Sequence, residues 1–405
     1  MPVPLPSTPV GDHLRWMLES LRDGARDLTS GTVGARFSDA FMDLVPADQI
    51  VGSMQEFSAT LRDFSFDGFT RQPTDRQLIA LLTASDGNHW VMPIAVEPNP
   101  PHRITGIGFS PVPVPPDIAL VPYTEPGTHR VDGLYDIGDG RRMYLSCVGD
   151  GGPTVILESG LGDSAAPWFG IESAVSRFAR VCTYDRPGSI GGASDPSGAP
   201  HVGADAIADL RALLHATGIP GPYILVGHSV GGVFARLFAH TWPDDVAGLV
   251  LVDASHEDQI PRIRNVVPPD LWAQMERFMV PAPSLTPEGV DVPATFEEVR
   301  TARAAATFPD IPLVVVSAGI GRDPAIFPDG WPIVEDHAVW LEMQEDLATL
   351  VPNGRHVIAA RSSHYVHQTE PELVIDAIRD VIQAVRDGAD LRDDAQPREG
   401  AAGIL

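Results

Sequence analysis

The chain has 405 residues, a formal net charge of −26 and 43% hydrophobic residues. That length exceeds one ordinary core and predicts two domains, while the acidic balance argues against nucleic acid or an anionic membrane as partner. Lysine is absent, all 28 basic residues being arginine, which excludes Schiff-base chemistry, pyridoxal-phosphate anchoring, a Walker-type phosphate loop and a Ser-x-x-Lys hydrolase site.

The first residues, Met-Pro-Val-Pro-Leu-Pro-Ser, carry neither a charged n-region nor an apolar h-region, and no apolar run reaches membrane-spanning length. The expected location is therefore cytoplasmic, with no membrane partner. Leu14, Met17, Leu18 and Leu21 fall at helical spacing, as do Ile50, Val51, Met54 and Phe57. Strand-like segments follow at 60–70, 77–84, 90–97 and 104–109, with Asp86-Gly87 as a hairpin signal between two of them. Residues 1–110 thus predict an α+β domain, helices first and then an antiparallel meander. Six prolines between Pro111 and Pro126 predict a stiff linker over 111–126.

Beyond it, strand signals at 142–147, 154–157, 180–184, 223–226, 248–252, 312–317 and 356–360 alternate with helical ones. The last helix carries Val374, Ile378, Val381, Ile382 and Val385. The fold class is α/β, a mostly parallel sheet covered on both faces. Residues 388–405 are charged and glycine-bearing, and a disordered tail is expected. Two cysteines, Cys147 and Cys182, form no CxxC or Cys/His cluster. Buried free thiols are expected of them, and no metal or cofactor is.

The most informative stretch is Gly227-His228-Ser229-Val230-Gly231-Gly232, between the apolar run Tyr223-Ile224-Leu225-Val226 and a helical pattern. Small residues two before and two after a serine let a strand turn sharply into a helix, with the serine hydroxyl exposed at the tip. Parallel sheets present function at the carboxyl ends of their strands. Glu158-Ser159-Gly160-Leu161-Gly162, Asp253 and His364 all follow strands, as Ser229 does.

With Tyr184-Asp185-Arg186-Pro187-Gly188, and with Ser363-His364 ahead of Glu370-Pro371-Glu372, these segments make residues 127–387 resemble the α/β-hydrolase superfamily. The resemblance implies Ser229 as nucleophile and His364 as its base, with His367 as rival. The expected triad acid is Asp253, with Asp323 as the alternative and Glu257 and Asp336 as further candidates. The resemblance also implies Val230 N–H and Leu161 N–H as the oxyanion-hole donors. Ser159-Gly160 stands where the family often has His-Gly. Arg186 is expected to brace the loop beside the elbow. An insertion at about 256–310 implies a lid, and Trp168 and Trp272 are candidate pocket walls. The sheet order implied places Cys147 and Cys182 on neighbouring strands, so a disulfide is geometrically open to them.

The activity implied is a serine hydrolase cleaving an ester, lactone, thioester or amide of a small organic molecule through an acyl-enzyme. Alternatives on the same constellation are acyl transfer and C–C bond hydrolysis, and a third is a non-catalytic binding or assembly protein. The N-terminal pattern resembles the nuclear-transport-factor-2-like cone, and in particular the domain fused to serine-β-lactamase-like proteins of the clavulanic-acid cluster. That likeness implies a homodimer through this domain or a partial cover over the active-site mouth.

Overall fold

The computed structural model describes residues 5–70, 73, 76–97, 100–112, 132–197, 201–388 and 390–391. Thr8 caps the first helix, α1 (Pro9–Arg22), by accepting from Gly11 N, and Pro9 fits its first turn. Val10, Leu14, Met17, Leu18 and Leu21 form its buried stripe. The helices α2 (Ser30–Gly34), α3 (Asp39–Leu44) and α4 (Ala47–Leu61) follow. Five strands then make an antiparallel sheet: β1 (Ser65–Phe69), β2 (Gln77–Thr83), β3 (His89–Val96), β4 (Ile104–Ile107) and β5 (Ser110–Val112), in the order β1-β2-β3-β4 with β5 also on β3. Asp86-Gly87 turns β2 into β3 as expected. The first expected strand is shorter than the pattern implied, because α4 runs on to Leu61.

β2 is apolar along both faces for a physical reason. Leu78, Ala80 and Leu82 pack with the helices, whereas Ile79 and Leu81, together with Val91 and Val112, pack on Phe169 of the following unit. Of the expected linker, Pro111 and Val112 belong to β5, and 113–126 lies outside the described residues. Most of the expected tail also lies outside them.

The second sheet has eight strands: β6 (Asp132–Gly138), β7 (Arg141–Val148), β8 (Thr154–Glu158), β9 (Val181–Tyr184), β10 (Tyr223–His228), β11 (Val246–Val252), β12 (Leu313–Ala318) and β13 (Arg355–Ala359). Their order is β13-β12-β11-β10-β8-β9-β7-β6, parallel from β13 to β9 and antiparallel at β7 and β6. One face carries α6 (Gly203–Thr217) and α7 (Val230–Thr241), and the other α5 (Phe169–Val175) and the last helix, α13 (Pro371–Asp387). Between β11 and β12 the insertion folds as α8 (Gln259–Val266), α9 (Pro269–Met279) and α10 (Val292–Ala305); α11 (Ile333–Ala348) and the short α12 (Val366–Thr369) flank β13.

The expectation of free thiols is not met. β7 and β9 run antiparallel with Cys147 directly opposite Cys182, their Cα atoms 4.1 Å apart, and the pair is a disulfide. No helix among the described residues is long and apolar enough to cross a membrane.

Candidate active site

β10 lies in the middle of the second sheet, hydrogen-bonded to β8 and β11. Ser229 alone separates β10 from α7, at φ 54° and ψ −126°. Such a backbone costs about 1–3 kcal/mol in a residue with a Cβ. It is pinned by Ser229 N donating to Val252 O (3.2 Å) and by Ser229 O accepting from Gly232 N (3.0 Å) and Ser255 N (2.9 Å). Space accounts for the flanking glycines. A Cβ at Gly227 would lie 2.6 Å from Gly231 O, and one at Gly231 would lie 2.4 Å from Ser159 O. The turn is thus wedged against the loop that leaves β8.

Asp253 follows β11, also at positive φ (41°), and is 2% exposed. Its Oδ2 accepts from His364 Nδ1 at 2.7 Å, and its Oδ1 from Trp340 Nε1 (2.8 Å) and Ala318 N (2.9 Å). Burial alone pushes the carboxyl up. The hydrogen bond and charge of His364, with the bonds from Trp340 and Ala318, outweigh it and hold Asp253 below the ordinary aspartate range. A carboxylate only accepts, so Nδ1 of His364 carries the proton of this bond.

His364 follows β13 and is half-buried. Its carbonyl oxygen accepts from His228 Nε2 at 2.9 Å, and the two rings are 4.6 Å apart. The residue immediately before Ser229 therefore touches His364, across strands far apart in sequence. His228 is buried, and burial with the neighbouring imidazoles keeps it neutral, well below the usual histidine range.

The rival groups lie elsewhere. His367 is buried, stacks on Trp168 with centroids 4.3 Å apart, and has no hydrogen-bond partner among the described residues at either ring nitrogen. Burial, then the nearby His364, pushes its pKa down to about 3. Asp323 is exposed and caps its own turn through Ala325 N (2.9 Å). Glu257 pairs with Arg236 (2.6 Å) and Arg303 (3.0 Å). Asp336 takes Trp331 Nε1 (3.0 Å) and faces Arg322 (3.3 Å).

Val230 opens α7, and Leu161 sits half-buried in the loop after β8. That loop is held from beneath by Arg186, which is 4% exposed. Its guanidinium pairs with Glu158, donates to Ser159 O (2.8 Å) and Gly160 O (2.5 Å), and pairs with Glu288 (2.6 Å). Glu288 also accepts from Gly162 N at 2.5 Å. Burial raises the carboxyl of Asp163, which accepts from Tyr365 Oη at 3.3 Å.

Trp168 is wholly buried against His228 and His367. Trp272 is buried in the cluster formed by α8, α9 and α11, with Ile263, Trp331, Trp340 and Met343. Neither indole lies at the surface.

Trp340 and Glu288 were missed by the sequence reading. Trp340, Met343, Gln344 and Leu347 recur at helical spacing, a signal sufficient to find α11. No local pattern marks the indole as a donor to Asp253. Glu288 stands in a loop between Pro287 and Gly289 and carries no periodic signal.

Residues 153–290 match the family model described as alpha/beta hydrolase fold, and residues 5–99 the one described as ORF 12 gene product N-terminal. The chain is 34% identical, over 38% of its length, to a protein of Hormonema carpetanum named probable transporter efuK, of which it spans 23%. It is 26% identical, over 58% of its length, to uncharacterized protein YqjL of Bacillus subtilis, of which it spans 85%. A crystal structure of the enol-lactonase from Burkholderia xenovorans matches at TM-score 0.43 and 18% identity, over 62% of this chain and 99% of that one.

Proposed function

We propose, from the premise of a chain that carries an α/β-hydrolase fold behind an ORF 12 gene product N-terminal domain, a serine hydrolase acting on an ester, lactone, thioester or amide of a small organic molecule. Ser229 Oγ attacks the acyl carbon while His364 Nε2 takes its proton. Asp253 holds the ring in the Nδ1–H tautomer and stabilises the imidazolium that forms. The negative charge on the acyl oxygen falls to the N–H groups of Val230 and Leu161. His364 then protonates the leaving group. The same imidazole takes a proton from water as it attacks the acyl-enzyme, then returns that proton to Ser229 Oγ as the acyl–oxygen bond breaks, releasing the acid and restoring the free serine.

The observation that carries this reading is the 2.7 Å bond between His364 Nδ1 and buried Asp253, at the sheet end where Ser229 is held at positive φ. It favours Asp253 over Asp323 as the acid. The test is labelling by a fluorophosphonate, with a panel of p-nitrophenyl esters and lactones and Ser229→Ala as blank. Labelling and turnover lost in Ser229→Ala are expected. A variant that keeps both removes the reading. Product analysis finding free acid and alcohol, rather than a transferred acyl group, separates hydrolysis from acyl transfer.

A further inference from the structure

The N-terminal unit meets the hydrolase unit at two places of different chemistry. One is apolar, where Ile79, Leu81, Val91 and Val112 cover Phe169. The other is polar and buried. Gln77 Nε2 donates to Gly191 O, Arg76 Nη2 donates to Ala193 O, and Arg76 pairs with Asp195 at 3.0 Å. Beside them Gly106 of β4 lies so close that a Cβ there would fall 2.4 Å from Gly191 Cα.

The segment gripped in this way is the one that holds the loop after β8. Ile190 N donates to Gly162 O at 2.7 Å. Asp185 accepts from Ala165 N and Ala193 N, each at 2.9 Å. Arg186 binds the carbonyls of Ser159 and Gly160. Residues 185–195 are therefore fixed by the N-terminal unit on one side and fix residues 159–165 on the other. Docking alone needs only the apolar patch. A buried guanidinium and a buried amide are costly unless bonded, and here two of the bonds go to the backbone carbonyls of Gly191 and Ala193, which sets the position of that segment, while Asp195 pairs the charge.

We propose that Arg76 and Gln77 are positioning residues for the acyl-transfer step, and that the N-terminal unit is an intramolecular brace for the oxyanion loop. The inference rests on the serine-hydrolase reading and extends it to the fused unit. Preformed backbone donors act only if held in place. A displacement of the order of 1 Å passed through residues 185–195 to Leu161 lowers the rate of acylation without weakening ground-state binding.

The experiment compares full-length wild type with Gln77→Leu, Gly106→Ala and Val91→Ala. For Gln77→Leu the turnover number on p-nitrophenyl butyrate and the rate of fluorophosphonate labelling of Ser229 should each fall by roughly tenfold or more, with KM within about twofold of wild type. Amide exchange at Ile190 and Gly162 should quicken. Gly106→Ala, which drives a methyl into Gly191, should act in the same direction and serves if Gln77→Leu does not fold. Val91→Ala loosens only the apolar patch and should leave the turnover number unchanged. Equal losses in Val91→Ala, or wild-type rates in both brace variants, overturn the proposal. A wild type that neither labels nor turns over removes the hydrolase reading and the brace with it; a wild type that labels beside unaffected brace variants removes the brace alone.

Discussion

Inside the N-terminal unit, α1, α2 and α4 close over β2 and β3 with an almost wholly apolar core. Among its described residues the buried titratable side chains are His13 and Arg76, and Arg76 faces outward to residues 193–195. The hydrolase unit buries many. Glu158, Arg186 and Glu288 lie under one side of the candidate site, Asp253 on the other, and Arg236 and Glu257 behind it. Burying an ion costs several kcal/mol, and a well-made pair does little better than break even against apolar packing. The first unit spends its interior on stability, whereas the second spends part of it on fixing backbone and side chains at the carboxyl ends of β8, β10 and β11. Buried charge is therefore concentrated in the second unit, and part of it lies beside the candidate site.

The largest effect that probes this contrast is on the acid. Asp253→Asn keeps shape and removes charge, so it should lower the turnover number by roughly 10⁴-fold, while Asp323→Asn should stay within about twofold. Steady-state kinetics on any ester the wild type cleaves decides it. A comparable loss at Asp323 would transfer the role to the exposed loop and dissolve the link between burial and site.

Next comes the clamp beneath the loop after β8. Arg186→Met leaves Glu158 and Glu288 buried without their cation, a change that typically costs about 3–5 kcal/mol. The exposed Arg15–Asp12 pair on α1 offers the counterpart, and Arg15→Ala should change stability by less than about 1 kcal/mol. Urea unfolding of both variants measures the difference. If Arg186→Met is no less stable than Arg15→Ala, the buried network is not what holds the loop.

Much of this was legible in the sequence because it is local. Alternating strand and helix patterns identify the layered sheet, and Gly227-His228-Ser229-Val230-Gly231 shows its turn because the steric demand of that turn falls on adjacent residues. Asp253 and His364 could be proposed because both end strands. Asp253 was preferred over Asp323 from its place after a strand, but the donors around its carboxylate, Trp340 and Ala318, are reported by no neighbour in sequence. The disulfide was misread for a related reason: whether Cys147 stands opposite Cys182 depends on the register of β7 against β9, and register is set by pairing between strands. Arg186 was expected to brace a loop, and it does hold the carbonyls of Ser159 and Gly160, but its second carboxylate, Glu288, comes from the insertion between β11 and β12, about a hundred positions away in a segment with no periodicity. The grip of Arg76 and Gln77 on residues 191–195 joins two units that each look self-sufficient in sequence.

The smallest effect sets two buried histidines, one from each unit, against each other as the pH falls. Burial lowers the pKa of His13 in the N-terminal unit, but its Nε2 donates to His102 O at 2.9 Å, which opposes the shift. His367 has no such bond among the described residues and is pushed down to about 3. A histidine whose folded pKa is depressed stays neutral in the native state while the unfolded chain takes a proton below about 6.5. Stability is then complete above that pH and declines as the pH falls from about 6.5 toward 3. For His367 alone the loss at pH 5 is about 2 kcal/mol relative to neutral pH. His367→Phe keeps a ring on Trp168 and cannot titrate, so its unfolding free energy should fall less between pH 7 and pH 5 than that of wild type, by an amount of that order. His13→Phe should recover less. Urea unfolding at pH 7, 6 and 5 measures both slopes. A His367→Phe curve parallel to wild type would mean that the imidazole is relieved of its burial as it protonates, and that Trp168, His228 and His367 do not form the closed, dry layer behind His364 on which the contrast between the two units depends.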